Sequence, residues 1–175
     1  MATHRLPTIF LLAALCAGAA HTQNARPPVD SATTRQMHQA LSQAEHGDRQ
    51  SAMNTVETLL EQHPEFAPAI KLKGMLLEDS GHPAEAAAAY EQALKLAPND
   101  GDLLLKVGIA KLASGQKEEA IRLLEHCIRI LPADGDAHYY LAQAYHLNGQ
   151  DAMALRAIRL SAKLEPENPD RQGWR

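Results

Sequence analysis

Four prolines, Pro64, Pro98, Pro132 and Pro166, follow one another at intervals of 34 residues with nothing gained or lost between them. Three further columns keep the same interval. Seventeen residues before each proline stands a glycine: Gly47, Gly81, Gly115 and Gly149. Five residues after each glycine stands an alanine: Ala52, Ala86, Ala120 and Ala154. Seven residues before each glycine the residue is small: Ala40, Gly74, Gly108 and Ala142. Columns held in register through four copies mark a repeat array, whose units bury their apolar faces only by stacking on one another.

Each unit reads as a helical hairpin. Glycine reaches the left-handed conformation that closes a first helix. Proline cannot continue a helix interior, so it sets where the second helix stops. KLAPND (95–100) is therefore the joint between the second and third units, ILPADG (130–135) recurs after the third, and KLEPEN (163–168) closes the fourth. The small residue on the first helix is expected to face the alanine on the second, Gly108 against Ala120 for instance, so that the two backbones approach closely. Only 4 % of residues are aromatic and alanine is abundant, a composition that suits close-packed helices better than a β-sandwich.

These columns resemble the tetratricopeptide repeat family, whose pattern has a small residue, an alanine followed by an aromatic, and a terminal proline. The alanine-to-aromatic spacing survives as Ala86 and Tyr90; elsewhere Val56, Leu124 and Ile158 keep bulk without a ring. The family's tryptophan near each repeat start is replaced by Gln36, Ile70, Leu104 and His138. The resemblance covers roughly residues 33–166, as repeats of about 33–66, 67–100, 101–134 and 135–168. It implies an all-α fold, an α-solenoid of four antiparallel helix-turn-helix repeats forming a right-handed superhelical arc. In the first repeat Gln36, Gln39 and Gln43 occupy the columns of Ile70, Lys73 and Leu77 in the second, and a polar first helix is what a terminal repeat needs.

The flanks are not part of the array. MATHR followed by IFLLAALCAGAA reads as a Sec-type signal peptide over residues 1–20, cleaved after Ala19 or Ala20 or else retained as an anchor. The apolar run is shorter than the roughly 20 residues needed to span a bilayer, so no stable membrane span is expected after cleavage. Leu15 is too large for the small residue that precedes a lipidated cysteine, so anchoring through Cys16 is not expected. Residues 21–32 read as a flexible lead-in and 169–175 as a C-terminal tail. Without Cys16, only Cys127 remains, and it reads as a small buried hydrophobe.

Chemistry is sparse. Residues 1–175 hold nine histidines, but no HExxH stretch or Cys/His cluster accompanies His138 and His146; His63 and His82 fall at repeat turns and are expected to be solvated. No GxSxG or phosphate-cradling glycine loop is present. No cofactor, metal or catalytic residue is expected, and a formal net charge of -4 argues against a nucleic-acid partner. Arg122, Arg129, Arg156, Arg159 and Lys163 make the later second helices basic and read as a solvated convex face, with a docking patch for an acidic partner as the alternative.

What the resemblance adds is a place for a partner. In the family, first helices line a concave groove, and the matching columns here lie ten, six and three residues before each glycine. The groove columns read Met37, Lys71, Leu105 and Tyr139, then Leu41, Met75, Ile109 and Gln143, then Ala44, Glu78, Leu112 and His146. Helical spacing puts these columns on one side of the helix. They contain no arginine or asparagine, which disfavours a carboxylate-gripping role. The expected partner is another protein or peptide presenting an apolar or amphipathic segment. The expected role is an exported, periplasmic scaffold for assembly or maturation of envelope components. Self-association through the apolar C-terminal helix (Met153, Leu155, Ile158, Leu160, Leu164) and an accessory role beside an enzyme are the alternatives.

Overall fold

The computed structural model describes residues 30–168. These form α1 (Ser31–Glu45), α2 (Arg49–Gln62), α3 (Ala67–Asp79), α4 (Pro83–Leu96), α5 (Gly101–Ala113), α6 (Lys117–Ile130), α7 (Gly135–Leu147) and α8 (Asp151–Leu164), with no strand among the described residues. The helices pair as α1–α2, α3–α4, α5–α6 and α7–α8, and each second helix packs on the first helix of the next pair. The result is the all-α helical solenoid expected from the repeat columns. The leader over 1–20, most of the lead-in, and the tail with Trp174 lie outside the described residues.

The turns show why the glycine and proline columns exist. Gly47, Gly81, Gly115 and Gly149 have φ of 79°, 79°, 77° and 76°, a region that costs a side chain its Cβ–carbonyl clearance. At each, two bonds close the first helix: Gly47 N–H donates to the Ala44 carbonyl at 3.0 Å, and Asp48 N–H reaches back to Gln43 at 2.9 Å. At the other joint each proline opens a tight turn, as where Asp100 N–H donates to Ala97 at 3.1 Å across Pro98. Asp100 and Asp134 then cap α5 and α7, accepting from Leu103 and Ala137 N–H. The first helix starts two residues before the nominal repeat boundary at 33, because Asp30 caps it through Thr33 N–H at 2.6 Å.

Inside each pair the alanine column is buried, as are Val56, Tyr90, Leu124 and Ile158 four residues further on. Here the structure corrects the expected pairing. A Cβ on Gly108 would lie 2.9 Å from Leu124 Cγ, and one on Gly74 would lie 2.6 Å from the Tyr90 ring, so the first-helix glycine answers the bulky column rather than the alanine. Where that column is β-branched, as Val56 and Ile158, the facing residue is Ala40 or Ala142. Each Leu124-sized side chain buried here contributes about 1.5–3 kcal/mol. Ile158 is thus core and not part of the exposed surface of α8.

Polar groups in the core find partners. Cys127 is fully buried, its thiol donates to the Gly101 carbonyl at 3.3 Å, and burial pushes its pKa up to about 11. Ser161, in the same column one repeat on, donates to Gly135 at 2.8 Å. His138 is buried and its Nε2–H donates to the Pro132 carbonyl at 3.1 Å, so it fills the tryptophan position as core. His63 is half-buried rather than solvated, its Nε2 2.9 Å from Thr33 Oγ1.

Candidate partner-binding site

The candidate groove residues lie on the first helices α1, α3, α5 and α7. None of them belongs to the buried set. Met37 and Leu41 on α1 rest on the core cluster around Ala40 and Val56, with one side left open. Leu105 and Leu112 on α5 and Tyr139 on α7 rest in the same way on the cluster around Leu124 and Leu141. Met75 on α3 is the most open of the apolar set, at 46 % exposure, and Ile109 is half-buried. The site is therefore a run of apolar side chains anchored at the base and uncovered at the tip. α1 touches α3 and α5 touches α7 directly, which keeps the apolar tips of neighbouring repeats close.

The charged members behave differently. Lys71 Nζ reaches forward to Asp100 at 3.0 Å and Asp102 at 2.8 Å, a contact between the second and third repeats. Burial works against its charge, but Asp102 and Asp100 outweigh this and hold its pKa above the usual lysine value. Glu78 takes Lys106 Nζ at 2.8 Å and the Tyr90 hydroxyl at 2.7 Å. Burial opposes its ionisation, yet the bonds from Lys106 and Tyr90 keep its carboxyl below the usual range. Burial and this same Glu78 contact push the Tyr90 hydroxyl well above the usual tyrosine value. Lys71 and Glu78 are thus braces between repeats, and the groove offers a ligand mainly its apolar members. At the far end Gln143 is half-buried, His146 Nδ1 lies 2.8 Å from Asp151, and Tyr139 meets Tyr140 edge-on with centroids 5.3 Å apart.

One feature of the site is absent from the sequence reading. A cleft of about 660 Å³ opens between α4 and α5, walled by Ala84, Ala87 and Ala88 on one side and Ile109, Ala110 and Ala113 on the other. Glu78 stands at its margin, so the cleft joins the candidate groove at two of its members. Its cause is a column: Met53, Ala87, Ile121 and Leu155 are equivalent, and Ala87 is too small to fill the space that Ile121 fills between α6 and α7. The AAAA run at 86–89 carried that signal.

Among the described residues no three His, Cys, Asp or Glu side chains gather as a metal site, and no helix is long and apolar enough to cross a membrane.

Comparison with known proteins agrees with this architecture. Tetratricopeptide repeat family models match residues 38–101, 77–126 and 123–156, which together span most of the solenoid. Among solved structures, the 41-end form of MamA from Desulfovibrio magneticus RS-1 has 21 % identity and a TM-score of 0.71, covering 82 % of this chain and 81 % of that one. A MamA RS-1 double mutant gives 21 % identity and a TM-score of 0.70, covering 82 % and 80 %. A further MamA crystal structure gives 22 % and 0.67, covering 77 % and 73 %. At these identities the likeness concerns the fold. Comparison with curated protein sequences returns no match. With its turn glycines, joint prolines and alanine column all in their structural places, the chain belongs to the tetratricopeptide repeat family.

Proposed function

We propose that the chain is a protein-interaction scaffold, without catalysis of its own, that holds an apolar or amphipathic segment of another protein along its first helices. The observation that carries this reading is the division of labour among the candidate residues. Lys71 and Glu78 are engaged in contacts between repeats, while Met75, Leu105, Ile109 and Leu112 keep apolar tips uncovered. Uncovered apolar surface on a soluble array is a binding resource. The leader-like residues 1–20 support an exported, periplasmic setting, with assembly or maturation of envelope components as the role.

The test is site-specific photo-crosslinking at Ile109 in the native cell, followed by purified binding of the partner so identified. Replacing Leu105 and Ile109 together by aspartate abolishes that binding while helicity is retained, because two carboxylates would be desolvated against an apolar ligand. Replacing Arg122 and Arg129 by serine leaves it intact. Binding weakens little with salt, since apolar burial is not screened. Loss of helicity in the double aspartate variant would instead return the stripe to the core.

A further inference from the structure

Glutamates at one repeat position latch each hairpin to the next. Glu57 on α2 pairs with Lys73 on α3 at 3.7 Å. Glu91 on α4 pairs with Lys111 on α5 at 2.8 Å. Glu125 on α6 accepts the Tyr145 hydroxyl of α7 at 2.5 Å. In each case an acceptor on a second helix meets a donor on the first helix of the following repeat. In α8 the equivalent residue is Arg159. The sign is reversed, the side chain is exposed, and it has no ion pair among the described residues.

The apolar half of the same surface is also present and uncovered. Ile121 on α6 packs against α7 and is 9 % exposed. Its equivalent on α8, Leu155, is 45 % exposed. The last helix thus keeps the apolar contact that receives a following helix, but pairs it with a cation.

We infer that the open side of α8, through Leu155 and Arg159, docks a helix of another protein that is apolar on one face and carries a carboxylate beside it. The charge selects this occupant from the others available. A second copy stacked head to tail would bring α1, which has Gln39 and Gln43 where α3 has Lys73 and α5 has Lys111, and no carboxylate at either place. A foreign helix with glutamate or aspartate there satisfies both the apolar contact and Arg159, and a desolvated charge pair of this kind governs partner choice.

The experiment uses a synthetic peptide with the sequence of α7, which already fits the equivalent surface of α6, made in two forms, Tyr145→Glu and Tyr145→Lys. The purified chain binds the glutamate form about tenfold more tightly than the lysine form. Arg159→Glu in the chain inverts that preference, with helicity unchanged because the residue is exposed. Leu155→Asp loses both peptides, and Met153→Ser with Leu160→Ser loses neither. Several results would overturn the inference: neither peptide binding, no preference between them, or a preference that survives Arg159→Glu. So would a dimer of the chain that Leu155→Asp dissolves, or Arg159-dependent binding to phosphatidylglycerol vesicles in place of the peptide.

Discussion

The two ends of the solenoid are built from equivalent positions and have opposite chemistry. On α3, Ala69, Leu72 and Leu76 are buried against the preceding repeat. Their equivalents on α1 are Arg35, His38 and Ser42, all exposed and all polar. At the other end, α8 leaves Met153, Leu155 and Leu160 exposed. Among the described residues the outer face of α1 is polar, as a terminal repeat requires, whereas that of α8 keeps apolar side chains exposed. A repeat array therefore need not be symmetric in function even when its units are nearly identical in backbone. The chain distinguishes its ends by changing side chains at a few positions while leaving the turns untouched.

That contrast can be broken most severely by moving the polar end inward. Leu72→Asp places a carboxylate in a buried column and is expected to cost about 3 kcal/mol or more, read as a collapse of the thermal melt, whereas His38→Asp at the equivalent exposed position changes stability by less than about 0.5 kcal/mol. The next comparison uses one column at two depths. Ile121→Ala should cost about 2–4 kcal/mol and Leu155→Ala under about 1 kcal/mol by denaturant unfolding, because only the first is covered by a following helix. Equal losses would mean that Leu155 is covered after all.

Smaller effects test the packing inside the pairs. Gly108→Ala should cost about 1–3 kcal/mol by overpacking Leu124. Adding Leu124→Val, which recreates the Ala40–Val56 pairing of the first repeat, should cost less than the two single changes summed. The smallest effect is electrostatic. Glu78→Gln removes a half-exposed brace worth about 0.2–1 kcal/mol. Since the Glu78 carboxyl titrates lower in the folded chain than its ordinary value of 4.5, its contribution is fully present above that pH and fades as pH falls through the folded value. The stability gap between wild type and Glu78→Gln should therefore close on acidification.

Fold and site were legible in the sequence to different degrees, for a physical reason. Backbone requirements are written locally: a left-handed turn needs Gly81, and a helix stop is served by Pro98, so periodic columns disclose them directly. Side-chain partnerships are written across the gap between repeats. Lys71 and Asp100 are 29 residues apart, and Glu91 and Lys111 sit in different hairpins, so no local pattern announces either contact. The mistaken pairing of Gly108 with Ala120 has the same origin. Spacing says that both residues face inward, but only the size of Leu124 says which of its neighbours must be a glycine. The cleft beside Ala87 is legible only when equivalent residues are compared for volume rather than for polarity.

The pattern of contacts along the chain has a bearing on how the molecule comes into being. Every pair of helices in substantial contact is adjacent or next but one in order, so almost no interaction waits for a distant part of the sequence. Chains of this kind pay little loop-closure entropy and belong to the fast side of the folding spectrum. Structure can also accumulate in the order in which the chain is delivered: α1 to α4 can settle before α8 has been made. Among the described helices the surface of α8 is then the last to emerge, so whatever docks there meets earlier repeats already in place.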